Sequence, residues 1–151
     1  YIIMKKNKGL IKKSISNFLK YEDKNNISNI NGCFNFKKNC EISRENTLIK
    51  IKNLKKKNKT ICGYAATAKS TTVLNYCGIG SDLIDCIFDT SENKIGKFSP
   101  GMHIPIVTMA DFKKNYFDYA YLFAWNHKKE IYEKENKFTK NGSKWFSHVK
   151  I

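Results

Sequence analysis

"GYAATAKSTTVLNYCG", residues 63–78, runs a glycine, three alanines, one lysine and a cluster of hydroxyls straight into a short apolar segment. Small residues let a backbone approach a phosphate closely, and free N–H groups at a helix start hold the anion there. The same residues let a strand turn tightly into a packed helix, with Ser70 as a plain cap. Spacing alone leaves both readings standing. Just ahead of the turn, "TICGYA" (60–65) reads as a short apolar strand, and 70–77 reads as a helix stopped by Gly78.

Working toward the C-terminus, "LIDCIFD" (83–89) is a second strand and "HIPIV" (103–107) a third, placed at an edge by Pro105. Thr108 and Asp111 form a capping box with Asp in the usual Glu position. "FDYAYLFAW" (117–125) reads as a long fourth strand, apolar on both faces, after which Asn126 caps a helix to about 136. "NG" at 141–142 turns the chain into a fifth strand, "KWFSHV" (144–149). Strands alternating with helices imply an α/β, Rossmann-like and mostly parallel five-stranded sheet, covered on both faces by helices.

Toward the N-terminus the pattern becomes helical. Residues 10–22 place Leu10, Ile11, Ile15, Phe18, Leu19 and Tyr21 largely on one face, and a longer helix follows over about 36–57 after a polar connector. "YIIMKK" (1–6) reads as a strand with nothing nearby to pair with, hence as part of a preceding domain's sheet. The expected division is therefore 1–59, the end of a preceding domain plus a helical extension, and 60–151, the Rossmann-like domain.

Composition narrows the function classes. A net charge of +15 invites a nucleic-acid reading, but only Arg44 among 28 basic residues is an arginine. Arginine's planar fork is the usual tool for reading bases and phosphates, so a solvated lysine-rich face is the plainer account. No apolar run approaches the ~20 residues that a bilayer span needs. The five cysteines, Cys33, Cys40, Cys62, Cys77 and Cys86, form no CxxC pair, which argues against both a metal knuckle and a disulfide framework. That usage points to a reducing cytoplasm, with Cys62, Cys77 and Cys86 as buried thiols.

In a parallel α/β sheet, ligands bind at the carboxyl ends of the strands, near the point where strand order reverses. Residues 63–70 occupy that position. Lys69, Ser70 and Thr71 would stand at the helix mouth, and Asp89, ending the second strand, falls where dinucleotide folds hold ribose hydroxyls. The loop is not G-x-G-x-x-G, because Ala65 and Ala68 replace glycines.

The stretch 63–78, the following "GKFSPGMHIPI" and the later "FDYAYLFAWNHKKEI" together resemble the C-terminal domain of the sugar C-methyltransferase family. The family pattern runs G-Y-G-A-x-A-K-G-x-x-x-L-N-Y-C-G-I-G, then D-x-x-x-x-K-x-G-x-x-x-P-G-x-H-I-P-I, then a strand ending in A-W-N. Gly63, Tyr64, Ala66, Ala68, Lys69, Leu74, Asn75, Tyr76, Cys77, Gly78, Asp89, Lys94, Gly96, Pro100, Gly101, His103, Trp125 and Asn126 match it. Ala65 and Ser70 depart from it, replacing the second and third glycines with bulkier residues.

The resemblance implies a domain that holds a nucleotide-linked keto-sugar for methylation at carbon by S-adenosylmethionine. It also implies that the donor and the catalytic base belong to preceding domains of the same polypeptide, so that 1–151 alone transfers no methyl group. The loop reading and the resemblance together give the candidate substrate-binding set Gly63, Tyr64, Ala66, Lys69, Ser70, Thr71, Asn75, Tyr76, Asp89, His103, Trp125 and Asn126, with no catalytic or metal ligand. Several of these keep a second reading. His103 either touches ligand or fixes its loop by hydrogen bonds; Trp125 either stacks on ligand or packs; Asn126 either faces the cleft or caps a helix. His127 and His148 read as surface residues. Two other function classes stand beside this one: a free-standing nucleotide- or dinucleotide-binding Rossmann-like domain, and a basic nucleic-acid module.

Overall fold

The computed structural model describes residues 12–114 and 116–149, so the strand expected at 1–6 lies outside the described residues. Contacts group the chain into two units, 1–41 and 42–151. In the first, α1 (Lys13–Lys24) forms from the amphipathic segment and leaves Ile15, Phe18, Leu19 and Tyr21 exposed. α2 (Ile30–Lys56) starts earlier than its apolar spacing indicated; its buried residues, Thr47 and Ile51, belong to the second unit.

That unit is built on five short strands: β1 (Ile61–Tyr64), β2 (Cys86–Asp89), β3 (Ile106–Thr108), β4 (Tyr119–Leu122) and β5 (Lys144–Phe146). All pair in parallel in the order β3-β2-β1-β4-β5, the α/β sheet that the alternation implied. β3 is an edge strand, with Pro105 just outside it in a bridge to Phe98. Side chains alternate across the sheet. Ile61, Ile87, Tyr121 and Phe123 pack with α2 and with α3 (Ala68–Cys77) on one face. Cys62, Tyr64, Phe88 and Leu122 pack on the other face against α4 (Met109–Lys114), α5 (Lys128–Lys134) and α6 (Asn136–Lys140). Burying both faces is the condition for a parallel sheet, and it explains why its strands read as continuous apolar runs.

Gly63 has a packing reason. A Cβ there would stand 2.7 Å from the Phe123 ring and 3.0 Å from Ile87, so only glycine lets these side chains meet across β1. The expected buried thiols are found: Cys62, Cys77 and Cys86 are all buried and free.

Several boundaries differ from the sequence reading. β4 is four residues long, not nine; it stops at Leu122, and just ahead of its start Asp118 makes a local hydrogen-bond exchange. Its carboxylate accepts from the Thr60 amide at 2.9 Å, and its own amide donates to the Thr60 hydroxyl at 2.9 Å. Beyond β4, residues Trp125–His127 make one turn of 3-10 helix, and the expected single helix breaks at Glu135 into α5 and α6. Asn126 therefore caps nothing; it lies inside that turn. Thr108 does cap α4, its hydroxyl accepting from the Asp111 amide at 3.2 Å and donating to the Asp111 carboxylate at 2.7 Å. Among the described residues, no helix is long and apolar enough to cross a membrane.

Candidate functional site

Strand order reverses between β1 and β4, so the crevice of this sheet opens at their carboxyl ends. The quoted loop lies there. Ala65 adopts a left-handed backbone with φ +74°, a conformation that costs most residues about 1–2 kcal/mol. This is the physical reason that a glycine suits the position. The Ala65 amide donates to the Phe88 carbonyl at 2.8 Å, which pins the turn to β2.

α3 begins at Ala68, two residues before the expected start, and its cap is Thr67 rather than Ser70. The Thr67 hydroxyl accepts from the Ser70 amide at 3.2 Å, and the buried Ser70 hydroxyl donates back to the Thr67 carbonyl at 2.6 Å. The first turn is thus closed by its own side chains. Thr67 followed at once by good helix formers was the signal for this start.

Asp89 supports the loop from below. Its carboxylate is buried and accepts from the Ala66 amide at 2.7 Å and the Ser91 amide at 2.8 Å, with the Lys94 ammonium at 3.4 Å. Lys94 also donates to the Ala66 carbonyl at 2.8 Å. The acid faces inward and shapes the loop, so a ribose would have to displace one of these bonds to reach it.

Above Asp89 a cleft of about 270 Å³ separates the start of α3 from the segment leading to β3. Ala66, Thr67, Ser70 and Thr71 form one wall; Lys94, Lys97 and Phe98 are on the other. Lys97 and Phe98 were absent from the sequence-derived set, and no local signal marked them, because they reach the wall through the pairing of their segment with residues 104–106, including the bridge between Phe98 and Pro105. Asn75 ties the two walls together. Its amide donates to the Thr71 carbonyl at 2.8 Å and to the Pro100 carbonyl at 2.9 Å. Gly101, at φ +80°, leaves room for it: a Cβ there would come within 2.0 Å of the Asn75 oxygen. His103 is exposed and left-handed at φ +51°, and it closes the loop through its backbone amide, which donates to the Ser99 carbonyl at 3.0 Å.

On the β4 side of α3, Lys69 extends to the 3-10 turn. Its ammonium donates to the Asn126 side-chain oxygen at 2.5 Å and lies 4.9 Å from the centre of the Trp125 ring. Lys69, Trp125 and Asn126, far apart in sequence, are thus brought together at the switch point. Other expected residues are not. Tyr64 is a core residue whose hydroxyl donates to the buried Glu135 carboxylate at 3.1 Å, and burial pushes its phenol well above the ordinary value. Tyr76 is exposed farther along α3, beneath the Arg44 guanidinium at 5.5 Å. His127 is exposed as expected. His148 is half-buried rather than fully exposed: its Nδ1 lies 2.9 Å from the Tyr121 hydroxyl, and burial lowers its pKa. Among the described residues, no three His, Cys, Asp or Glu side chains gather as a metal-holding group.

Residues 1–149 match the family described as C-methyltransferase C-terminal domain. Over 87 residues the chain is 38% identical to C-methyltransferase NovU of Streptomyces niveus, an alignment covering 58% of this chain and 21% of that protein. The match therefore takes in about a fifth of the relative's length. With its parallel sheet, its loop at the switch point and this match across almost its whole length, the chain belongs to the C-methyltransferase C-terminal domain family.

Proposed function

We propose that the chain is the substrate-holding domain of an S-adenosylmethionine-dependent C-methyltransferase, and that it grips the diphosphate of a nucleotide-linked keto-sugar. The observation that carries this reading is the placement of Lys69, held by Asn126 and Trp125, at the switch point beside the first turn of α3. A helix start and a fixed ammonium act on an anion in the same direction. Lys94 and Lys97 add positive charge on the far side of the cleft.

In this reading the methyl donor, and the base that removes a proton beside the keto group, are supplied by the preceding domains of the same polypeptide. This domain contributes orientation, which lowers the barrier by holding the reacting carbon in place. Its partners are then those domains and the nucleotide-sugar, with neither membrane nor nucleic acid involved. The free buried thiols favour a reducing, cytoplasmic setting.

Lys69→Met tests the reading, because it keeps most of the stem and removes the charge. Calorimetric titration of a nucleotide-sugar should show a loss of ~1.5–3 kcal/mol, the range for hydrogen bonds to charged groups, with little change in melting temperature. Equal affinities for both proteins would mean that the loop is only a turn.

A further inference from the structure

Trp125 is held from two sides. The Lys69 ammonium lies 4.9 Å over its ring, and the His148 ring meets it edge-on, at 4.6 Å between centroids and 89° between planes. His148 follows β5, at the far end of the sheet order from the cleft wall of β2 and β3. It is itself fixed. Tyr121 on β4 stacks near it at 6.1 Å and 19° and bonds Nδ1 at 2.9 Å, while the Ser43 hydroxyl on α2 donates to its carbonyl at 3.3 Å. Tyr121 is buried, and burial pushes its phenol well above the ordinary value.

We propose that His148 is a positioning residue for the ligand-facing lysine: it sets the plane of the Trp125 indole, and the indole in turn sets where the Lys69 ammonium stands. This rests on the reading of Lys69 as the diphosphate grip. Without the imidazole edge, the indole is free to swing about its side-chain torsions, and one of the two groups that hold Lys69 moves away. Asn126 alone then retains the ammonium, on an exposed and rotatable stem. The charged and titratable groups around this contact are Tyr121 on β4, Lys69 on α3 and Lys50 on α2, whose ammonium lies over the neighbouring Phe146 ring at 4.9 Å. Among the described residues, none of these is a carboxylate.

Two measurements test this on the 151-residue chain. The first uses Trp145→Phe, which leaves Trp125 as the sole tryptophan, and follows its emission against pH. A protonated imidazole against an indole quenches it, so emission should fall at acid pH with a midpoint below 6.5, and His148→Ala should abolish the titration. A titration unchanged by His148→Ala overturns the contact. The second is a double-mutant cycle read by the affinity for uridine diphosphate. His148→Ala should weaken binding about threefold to tenfold in the wild type and not at all in Lys69→Met, because residues acting through one another are non-additive. Additive losses, or no loss from His148→Ala while Lys69→Met still weakens binding, overturn the positioning role alone. If Lys69→Met itself changes nothing, the diphosphate reading falls, and this inference with it.

Discussion

Replacing Asp89 with Asn separates two roles for the acid at the end of β2. In the structure one carboxylate oxygen accepts from the Ala66 amide at 2.7 Å and the other from the Ser91 amide at 2.8 Å. Both bonds are short and charge-assisted, and the side chain is buried. An asparagine of the same shape keeps one acceptor and turns an NH₂ group toward the other amide. One charged hydrogen bond is lost, at about 1.5–3 kcal/mol, and a buried donor is left unsatisfied, at about 1–3 kcal/mol. Partial relaxation of the exposed side of the loop recovers some of this, so the expected loss is about 3 kcal/mol. For a chain of this size that lowers the melting temperature by roughly 9 °C. The assay is thermal unfolding without ligand, with the exposed Asp82→Asn as the control for charge alone. A change within ~2 °C of that control would refute the reasoning, because it would mean that the loop stands without Asp89. A ribose-binding acid gives the opposite result: unchanged melting and weakened ligand.

Ala65→Gly should stabilise the chain by about 0.5–1 kcal/mol, since relief of the left-handed strain outweighs the greater freedom of glycine in the unfolded chain; calorimetric melting checks the sign. Thiol labelling of the native protein should be slow at Cys62, Cys77 and Cys86, whose pKa values burial raises (Cys86 to about 12), and should reach ordinary rates only on unfolding. The half-buried His148 should also leave a mark on stability against pH. Its folded pKa lies below 6.5, so the unfolded chain binds a proton that the folded chain does not as pH falls from about 6.5 toward the folded value. Its contribution is complete above that window and lost within it, and melting curves of His148→Phe should lack this part of the acid slope.

The parallel sheet was legible because its cause is local. Four or five apolar residues in a row, bounded by helical spacing on either side, have few other ways to bury both faces. The edge position of β3 followed from Pro105 alone, and the burial of three cysteines followed from the apolar runs around them. The helix-cap reading of Asn126 and the surface reading of His148 met one shared difficulty: a polar residue at an element end looks the same in sequence whether it caps, faces water or meets a distant side chain. Strand order decided which. It set the loop after β1 beside the turn after β4, so that Lys69 found Asn126, 57 positions away. It also set β5 next to β4, so that His148 met Tyr121 and Trp125. The sequence by itself determined which residues leave water and in what period they do so, because hydrophobic burial reads one side chain at a time. The partners of the polar ends depended on pairings between strands far apart in the chain, and those exist only once the sheet has closed.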